Sequence, residues 1–456
     1  MNRIANRSVA ILILIAVLVG GLALFVGEYL AKGSQWVMHE GSPHVYSGDN
    51  IGTGVVTDRN GLLLADLNGQ RTYAPSRALR MSTVHWIGDC YGYVSAPAPA
   101  AYAKELAGYN SLTGLYSYSG AGQIQMTLSA HLQMAALEAM GDYKGTLAVY
   151  NYKTGEILCA VSTPGFDPEE MPDVGSDSTG IYEGVYMNRF VQSVYIPGSI
   201  FKVVTAAAAL EEIPNIRQQT FTCTGTHSYG VDAVTCEYAH GTLDFDGAMT
   251  QSCNCAYATI MDQLGAETLL AYVKKYQLVD PVSFDGVTTA AGNFQKAPSL
   301  VEAAWSGIGQ YTDQINPCRY MTFMGAVANG GVAVTPHVVQ QVTCDGKVTY
   351  RADTGTTQRI MPEEVANTLQ EMMRNNVTVK YGADNFPGMT VCAKSGTGQV
   401  GGDKKSNAMF SGFVIDEEYP LAFIVAVENA GYGRLVCVPI LADVLAVCKQ
   451  EIDAHS

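Results

Sequence analysis

An uncharged apolar run near the N-terminus places the strongest constraint on how this chain can fold. The run extends from Val9 to Val26 and reads VAILILIAVLVGGLALFV. A helix of this length and composition is just long enough to cross a bilayer. Arg3 and Arg7 precede the run without an acidic neighbour, and Glu28 closes it. The positive-inside rule therefore predicts a cytoplasmic N-terminus, with everything after Tyr29 outside the membrane.

The same run has an alternative interpretation as a cleaved secretory signal peptide, with Gly20, Gly21 and Ala23 marking a weak cleavage site. An uncleaved anchor is preferred, because the run exceeds the usual apolar core of a signal peptide and no A-x-A site follows it. We therefore predict a single-pass protein of the cell membrane whose folded part is extracytoplasmic.

The chain as a whole has the composition of a folded protein that does not bind nucleic acid. Of its 456 residues, 48% are hydrophobic, which is enough to bury at least one large core. Its formal net charge of -15 works against binding a phosphate backbone. Its 11 cysteines are too sparse for a scaffold built on disulfides.

Turn signals and alternating apolar residues divide the exported part into two domains. The segment from residue 31 to about 125 is rich in Gly, Tyr and Ser, and a hairpin with its turn at Asn60 and Gly61 is predicted within residues 54–65. We predict three regions: a cytoplasmic tip and anchor at 1–30, a small strand-rich N-terminal pedestal domain at 31–125, and a catalytic domain at 126–456.

The catalytic domain is predicted to be α+β, with an antiparallel sheet made from the two ends of one folded unit. Short connections between consecutive strands imply antiparallel pairing. A mostly helical stretch from Ser199 to about Met373 separates the two ends. The predicted helices cover residues 128–140 and 438–448, and the predicted strands cover 146–150, 156–162, 390–399, 408–415 and 421–427.

Three short motifs carry candidate chemistry. Each alone is weak: an S-x-x-K tetrad after Pro-Gly could be an ordinary helix start, and the other two could be polar turns. The motifs are Ser199-Ile200-Phe201-Lys202, Ser252-Cys253-Asn254 and Lys394-Ser395-Gly396-Thr397. Together and in this order, these three motifs resemble the active-site set of serine β-lactamases and penicillin-binding proteins.

The first motif has the spacing of a nucleophile with its base. Positions i and i+3 share one face of a helix, so the Lys202 amine is expected to reach the Ser199 hydroxyl and take its proton. The amine must be neutral for this. Burial among Phe201 and its apolar neighbours is expected to lower the pKa of Lys202, and a second cation, Lys394, to lower it further.

The third motif has the alternation of a strand. Ser395 and Thr397 are expected to line a substrate groove, while Lys394 points inward towards the second motif. Gly396 lacks a side chain, which would let the helix of Ser199 approach the strand closely. The backbone N–H groups of Ser199 and Thr397 are the expected oxyanion hole.

Most of the chain after residue 50 resembles class B penicillin-binding proteins, with a short N-terminal segment similar to that of the penicillin-binding protein A type. This resemblance implies a peptidoglycan D,D-transpeptidase that β-lactams acylate. Ser199 would be acylated by the penultimate D-Ala of a stem peptide, and an amine from a second stem would resolve the acyl-enzyme. The matching stretches are TDRNG at 57–61, KTGEIL at 153–158, STPGFDP at 162–168, NR at 188–189 ahead of YIPGS at 195–199, GIGQ at 307–310 and ANGG at 328–331.

The resemblance also assigns roles to the motif residues. Lys202 would be the base, Ser252 the proton relay to the leaving group, and Asn254 a contact to the substrate backbone. Capture of the terminal carboxylate and completion of the oxyanion hole would fall to the third motif, in Lys394, Ser395 and Thr397. Ser395 stands where the family more commonly has Thr, which keeps the hydroxyl.

No glycosyltransferase domain fits between the anchor and the catalytic domain. The resemblance therefore implies a multispanning glycosyltransferase partner, contacted by the anchor and the N-terminal segment. It implies neither a cofactor nor a catalytic metal.

Two other functions compete with transpeptidation. A D,D-carboxypeptidase or serine β-lactamase uses the same acylation but passes the acyl group to water. Class A β-lactamases activate that water with an E-x-x-N glutamate placed after S-x-N. Here Glu212 to Asn215 has the letters but precedes Ser252, and a loop is expected there. A non-catalytic cell-wall scaffold is the alternative of another class, and the intact motifs argue against it.

A pair of cysteines flanks a Gly- and Thr-rich stretch just before the second motif. A hairpin would bring Cys223 and Cys236 together, and oxidation is possible outside the cell, so a disulfide is the preferred prediction. Free thiols are the second possibility. The third is zinc, because His227 and His240 each follow one of these cysteines by four residues. Cys253 and Cys255 are expected to be small packing residues.

Overall fold

The computed structural model describes residues 2–39, 41–42, 45–48, 50–69, 71–112, 114–115, 122–355 and 357–455. Its α-helices are α1 Asn2–Val37, α2 Arg77–Ile87, α3 Pro97–Ala101, α4 Ala103–Leu106, α5 Ala130–Met140, α6 Arg189–Gln192, α7 Lys202–Glu212, α8 Phe245–Thr250, α9 Asn254–Leu264, α10 Ala266–Lys275, α11 Leu300–Ile308, α12 Pro317–Ala328, α13 Glu363–Asn376 and α14 Gly433–His455.

The strands are short in the N-terminal part and longest in the sheet that carries the third motif. They are β1 Tyr46–Ser47, β2 Asn50–Ile51, β3 Val55–Thr57, β4 Leu63–Asp66, β5 Thr72–Tyr73, β6 Gly122–Met126, β7 Gly145–Asn151, β8 Ile157–Thr163, β9 Thr220–Cys223, β10 Thr226–Tyr229, β11 Asp232–Thr235, β12 Gly241–Asp244, β13 Ser283–Phe284, β14 Val287–Thr288, β15 Val332–Val334, β16 Val339–Cys344, β17 Lys347–Arg351, β18 Thr357–Arg359, β19 Val391–Gly398, β20 Asn407–Val414 and β21 Leu421–Val427.

The apolar run forms the long first helix. Within the described residues, one helix, Ile4–Val37, is long and apolar enough to cross a membrane, and its side chains from Val9 to Val26 are exposed. Nearer its C-terminal end the helix contacts the N-terminal part, where the Tyr29 hydroxyl donates to the Ser111 carbonyl at 2.9 Å. A helix that is apolar all round and unpacked needs another apolar environment. The helix is therefore a candidate membrane anchor, and its orientation stays a prediction.

A five-stranded antiparallel sheet forms the centre of the catalytic domain. Its strand order is β19-β20-β21-β7-β8, so the sheet joins the two ends of the region as predicted. Along β7, Leu147 and Val149 pack with α5 and α14, while Ala148 and Tyr150 face the opposite core, which contains α12. Both faces are thus covered, which explains why strands such as β21 are apolar along their whole length.

The N-terminal part is built on a six-stranded sheet of order β17-β16-β6-β3-β4-β5. The predicted hairpin is present as β3 and β4, with Gly61 at a φ of 84° in its turn. Two strands of this sheet, β16 and β17, come from residues 339–351; β16 pairs with β6, and β17 pairs with β16 at the edge. The sheet therefore contains residues from both sides of position 125, and the predicted domain division stays a proposal.

Polar contacts join the N-terminal part to the catalytic domain. The Arg80 guanidinium donates to both carboxylate oxygens of Asp167, at 2.8 and 2.6 Å. These hydrogen bonds hold the pKa of Asp167 below its usual value. The Trp86 indole N–H donates to the Ala160 carbonyl in β8 at 2.8 Å. Because these partners are largely buried, the N-terminal part packs closely against the catalytic domain beside β8, the edge strand of the five-stranded sheet.

The region between the two ends of the sheet is richer in strands than predicted. Helices α7 to α13 account for fewer than half of its residues, so the expectation of a mostly helical stretch is wrong, and short ribbons lie between the helices. One ribbon pairs β9 with β12, and within it lies the predicted hairpin, formed by β10 and β11. Each of these strands has only four residues, and β9 alone alternates strictly between exposed and buried residues, so the pattern is too short to detect against the surrounding helices.

Candidate active site

Ser199 lies on a short 3-10 turn, Gly198–Phe201, that leads directly into α7. Gly198 has a φ of 56°, and a Cβ there would come within 2.5 Å of the Thr397 carbonyl, so only glycine fits. The Ser199 hydroxyl does not cap the helix, and among the described residues it makes no side-chain hydrogen bond. It is half-buried and available to another molecule.

Lys202 is fully buried and has three acceptors around its amine. These are the Ser252 carbonyl at 2.6 Å, the Asn254 side-chain oxygen at 2.7 Å and the Ser252 hydroxyl at 3.2 Å. The amine also lies 5.3 Å from the centre of the Tyr257 ring. Burial lowers the pKa of Lys202 to about 8. Its direct partners in this structure belong to the second motif, and a hydrogen bond to Ser199 requires the amine to turn.

The second motif forms a strained turn at the start of α9. Ser252 has a φ of 53°, which is unusual for a residue other than glycine. Cys253 caps α9, its sulfur accepting the N–H of Ala256 at 3.4 Å. The Asn254 side chain donates to the Thr235 carbonyl at the end of β11, at 2.7 Å. The turn is therefore held from both the helix and the hairpin.

Lys394 points inward from β19, as predicted, and reaches the second motif. Its amine donates to the Ser252 hydroxyl at 3.0 Å and to the Ser395 carbonyl at 2.9 Å. The side chain is buried, and both burial and the neighbouring charge of Lys202 lower the pKa of Lys394. Because the repulsion between the two amines is mutual, protonation of either lysine opposes protonation of the other.

The strand of the third motif packs tightly against the turn that carries Ser199. Ser395 and Thr397 are half-buried on one face of β19, and Lys394 is buried on the other. A Cβ on Gly396 would lie 2.5 Å from the Pro197 carbonyl, so the missing side chain permits the close approach that the sequence predicts. The nucleophile and the candidate substrate groove are therefore adjacent.

The candidate oxyanion hole fits the position of β19 at the edge of its sheet. The Ser395 N–H donates to the Tyr381 hydroxyl at 2.9 Å rather than to a neighbouring strand. Since N–H groups alternate along a strand, the Thr397 N–H lies on the same free edge. The Thr397 carbonyl there accepts from the Gln310 side chain at 2.9 Å.

Sequence reasoning missed two residues that position the third motif. Tyr381 lies on the π-helical turn Val377–Tyr381, and its hydroxyl is also 3.0 Å from that of Ser395. No local pattern signals it. Gln310 is the second residue. In addition to its contact with the Thr397 carbonyl, its side-chain oxygen accepts the Gln399 N–H at 3.2 Å. The stretch GIGQ contains Gln310, but the sequence offered only a resemblance there.

The cysteine pair differs from the preferred prediction. Cys223 and Cys236 are free thiols with sulfurs 3.8 Å apart, so the predicted disulfide is not formed in this structure. Of the two histidines, His240 lies 3.4 Å from the Cys223 sulfur, whereas His227 pairs with Asp262 at 2.9 Å. Cys253 was expected to be only a packing residue, but its sulfur lies 3.8 Å from that of Cys236.

The glutamate of the E-x-x-N pattern does not lie beside the motifs. Glu212 is the last residue of α7, about 15 Å along the helix from Lys202, and it accepts a hydrogen bond from Tyr272. Within the part of the chain that the structure describes, no carboxylate hydrogen-bonds to the lysines of the site.

Comparison with known proteins agrees with this geometry. The family model described as the penicillin binding protein transpeptidase domain matches residues 145–446. The peptidoglycan D,D-transpeptidase PbpA of Mycolicibacterium smegmatis is 26% identical over 362 residues, covering 72% of this chain and 73% of the relative. The stage V sporulation protein D of Bacillus subtilis is 28% identical over 348 residues, covering 72% of this chain and 52% of that protein.

Solved structures have the same fold. Penicillin-binding protein A from M. tuberculosis, as a ceftriaxone acyl-enzyme complex, aligns with a TM-score of 0.74 at 23% identity. That alignment covers 86% of this chain and 97% of the other. The family model spans more than half of the chain, including all three motifs. This protein therefore belongs to the penicillin-binding protein transpeptidase family, as a class B member of the PbpA type.

Proposed function

We propose that this protein is a peptidoglycan D,D-transpeptidase that cross-links stem peptides through an acyl intermediate on Ser199. The observation that carries the proposal is the Ser252 hydroxyl, which accepts hydrogen bonds from two buried lysine amines. One of these lysines, Lys202, lies one helical turn after Ser199, whose hydroxyl has no hydrogen bond among the described residues. This arrangement can both accept and return a proton next to a nucleophile, which acyl transfer requires.

In the first half of the reaction, the Ser199 oxygen attacks the carbonyl of the penultimate D-Ala and its proton passes to neutral Lys202. The oxyanion receives hydrogen bonds from the N–H groups of Ser199 and Thr397. The peptide C–N bond then breaks, and the leaving D-Ala amine takes the proton from Lys202 through the Ser252 hydroxyl. An ester on Ser199 remains.

In the second half, the amine of another stem peptide attacks the ester carbonyl. Its proton passes to Lys202, and the ester C–O bond breaks to form the cross-link. The Ser199 oxygen then takes the proton back from Lys202, which restores the free enzyme. The same groups act in both halves because each half is the reverse of the other in proton flow.

Lys202 rests mainly in its charged form. Its three acceptors match the three N–H groups of an ammonium. With a pKa of about 8, roughly one tenth of the amine is neutral at pH 7. The longest of its hydrogen bonds, to the Ser252 hydroxyl, is the one that breaks most readily when the amine turns to Ser199.

The third motif would hold the terminal carboxylate of the substrate. Ser395 and Thr397 present hydroxyl groups on the groove side of β19, and the Lys394 amine lies behind them. Asn254 would contact the substrate backbone from the opposite side. A β-lactam carries a carboxylate and a strained amide in a similar relation, so we expect it to acylate Ser199.

Transpeptidation is preferred to hydrolysis because, in the part of the chain that the structure describes, no carboxylate hydrogen-bonds to Lys202 or Lys394, so none is held there to activate water. The ester is then expected to persist until an amine arrives, as a cross-linking enzyme needs. A scaffold without activity is disfavoured, since burying two lysines costs free energy that catalysis would explain.

The apolar helix α1 and the N-terminal sheet are consistent with a protein that acts at a membrane surface. We propose a cytoplasmic N-terminus, an extracytoplasmic catalytic domain at residues 126–456 and a pedestal at residues 31–125. A multispanning glycosyltransferase would supply glycan strands and contact α1 and the pedestal. Among the structural neighbours, penicillin-binding protein 2 of Helicobacter pylori was solved in complex with MreC and aligns with a TM-score of 0.62 at 18% identity.

Incubation with a stem-peptide thioester and a D-amino acid acceptor tests the proposed reaction. Mass spectrometry should detect an acyl group on Ser199 and an exchanged product that exceeds the hydrolysis product. Ser199→Ala should give neither, while Ser193→Ala, a nearby surface serine, should behave as wild type. Hydrolysis alone would favour a carboxypeptidase, and labelling that persists in Ser199→Ala would remove this serine as the nucleophile.

A further inference from the structure

Three cysteines and a histidine form a cluster beside the second motif. Cys223 ends β9, Cys236 follows β11, His240 precedes β12, and Cys253 caps α9. One ligand atom from each lies within 4.8 Å of all the others. Among the residues that the structure describes, this is the one group of such side chains close enough to share a metal ion.

Three of the six distances between ligand atoms in the cluster match those of a tetrahedral site. With a zinc–sulfur bond of about 2.3 Å, two sulfurs on a tetrahedron lie about 3.8 Å apart, and a sulfur and a nitrogen about 3.6 Å apart. The Cys223 and Cys253 sulfurs each lie 3.8 Å from that of Cys236. The His240 Nδ1 atom lies 3.4 Å from the Cys223 sulfur.

The surroundings of the sulfurs are those of thiolate ligands. The Cys236 sulfur accepts the N–H of Cys255 at 3.4 Å, and the Cys253 sulfur accepts that of Ala256 at 3.4 Å. Such N–H donors orient and stabilise metal-bound thiolates. Three sulfurs and one imidazole, with no carboxylate, are a ligand set that favours zinc over magnesium or calcium.

We propose that Cys223, Cys236, His240 and Cys253 bind a structural zinc ion that ties the hairpin to the second motif. The site has four protein ligands and no open position, so the metal has no direct part in acyl transfer. It acts on the site by holding the backbone.

A metal bound at Cys253 would affect the active site because of where this residue lies in the second motif. Cys253 lies between Ser252 and Asn254, the two residues that hydrogen-bond to the Lys202 amine. Ser252 has an unusual positive φ, and the hairpin already holds Asn254 through the Thr235 carbonyl. A metal bound at Cys253 would fix this strained turn where the base needs it.

A disulfide explains the cluster less well than a metal. The Cys236 sulfur is within 3.8 Å of Cys223 and Cys253 and 3.5 Å of Cys255, so any one bond would leave the other thiols unpaired. Nothing in a Cys223–Cys236 bond would require His240 to face the sulfurs. A shared metal accounts for all four side chains at once.

Metal analysis of the full-length chain, purified in detergent without chelator, tests the proposal. Wild type should contain a single zinc ion per chain, and the double variant Cys223→Ser/Cys236→Ser should contain almost none. Cys255→Ser is the matched control, since this adjacent cysteine touches Cys236 but is not one of the four ligands. Cys344→Ser is a second control on a distant strand.

If the double variant fails to fold, two measurements on the wild-type protein still test the proposal. Cobalt added to the chelator-treated chain should give a thiolate charge-transfer band, and zinc should protect Cys223 and Cys253 from alkylation. Metal-free wild type with a Cys223–Cys236 disulfide in its peptide map would overturn the proposal. Zinc content that is unchanged in the double variant would do the same.

The predicted effect on the active site rests on the proposed function and has its own readout. Removing zinc should slow acylation by a fluorescent penicillin about tenfold to a hundredfold, because the turn that positions the base would loosen. Zinc bound with no change in acylation would confirm the metal site but contradict its positioning role.

Discussion

The Lys394 amine donates a hydrogen bond of 3.0 Å to the Ser252 hydroxyl, which also receives one of 3.2 Å from Lys202. Two cationic side chains, each almost completely buried, thus share a single hydroxyl group. Charging both is costly in this environment, so protonation of one disfavours protonation of the other. We infer that the pair carries less than its full charge near neutral pH, which leaves capacity to accept a proton from Ser199.

The rate of acylation by a β-lactam should rise with pH through the titration of this pair. Burial lowers the pKa of Lys202 to about 8 and also lowers that of Lys394, and only a neutral amine can accept the Ser199 proton. The second-order rate constant should therefore increase up to about pH 8 and level off above it. Stopped-flow measurements with a fluorescent penicillin from pH 6 to pH 9 would give the profile, and a flat profile would contradict a lysine base.

Lys202→Met should abolish acylation without lowering the melting temperature. In the folded state Lys202 binds a proton less readily than in the unfolded chain, so at neutral pH its burial costs on the order of 3 kcal/mol. This penalty is fully present below the folded pKa and disappears above the unfolded pKa. Methionine fills a similar volume without charge. Calorimetry should give a Tm at or above that of wild type.

Lys153→Met is the matched control for that change. Lys153 is exposed and its amine bonds to Asn329 on the protein surface. The control should leave both the acylation rate and the Tm close to wild type. If Lys202→Met were strongly destabilised, its three hydrogen bonds would outweigh the cost of burying the amine, and the role of Lys202 would be chiefly structural.

Gly396→Ala should impair acylation more than it impairs folding. The new Cβ would come within 2.5 Å of the Pro197 carbonyl and push the turn that carries Ser199 away from β19. Overpacking of this kind typically costs about 1 to 3 kcal/mol, and a displacement of the nucleophile of about 1 Å can cost a hundredfold in rate. Gly175→Ala, where the nearest atom is 3.6 Å away, is the control. Equal losses of rate and stability would point to general unfolding.

The sequence predicted the parts of the site that depend on local periodicity. A helical i and i+3 relation and a strand alternation suffice to orient Lys202 and Lys394 towards the interior, and both are buried in the structure. The central sheet was predictable for the same reason, because β7, β20 and β21 consist mostly of apolar residues and are bounded by clear turns.

Contacts between distant segments were beyond that reasoning. Tyr381 reaches Ser395 from a π-helical turn, and β16 leaves the catalytic region to pair with β6 more than 200 residues earlier. Neither has a local signature. Cys253 reaches Cys236 only because α9 packs beside the β9–β12 ribbon. Spacing alone indicated both His227 and His240, and only His240 faces the cysteines, because His227 bonds to Asp262.

Tyr381→Phe should weaken capture of substrates and β-lactams while leaving the chemical step nearly intact. The tyrosine hydroxyl accepts the Ser395 N–H at 2.9 Å and lies 3.0 Å from the Ser395 hydroxyl, so its removal frees the group that would bind the terminal carboxylate. Loss of hydrogen bonds of this kind costs about 1 to 2 kcal/mol, which corresponds to a decrease of about tenfold in the second-order acylation constant. The maximal acylation rate at saturating penicillin should change much less, because Ser199 and Lys202 are untouched.

Tyr419→Phe is the matched control, since that hydroxyl also has two partners, Lys449 and Asp453, but lies at the far end of α14. An equal fall in the maximal rate would mean that Tyr381 supports the nucleophile rather than the groove.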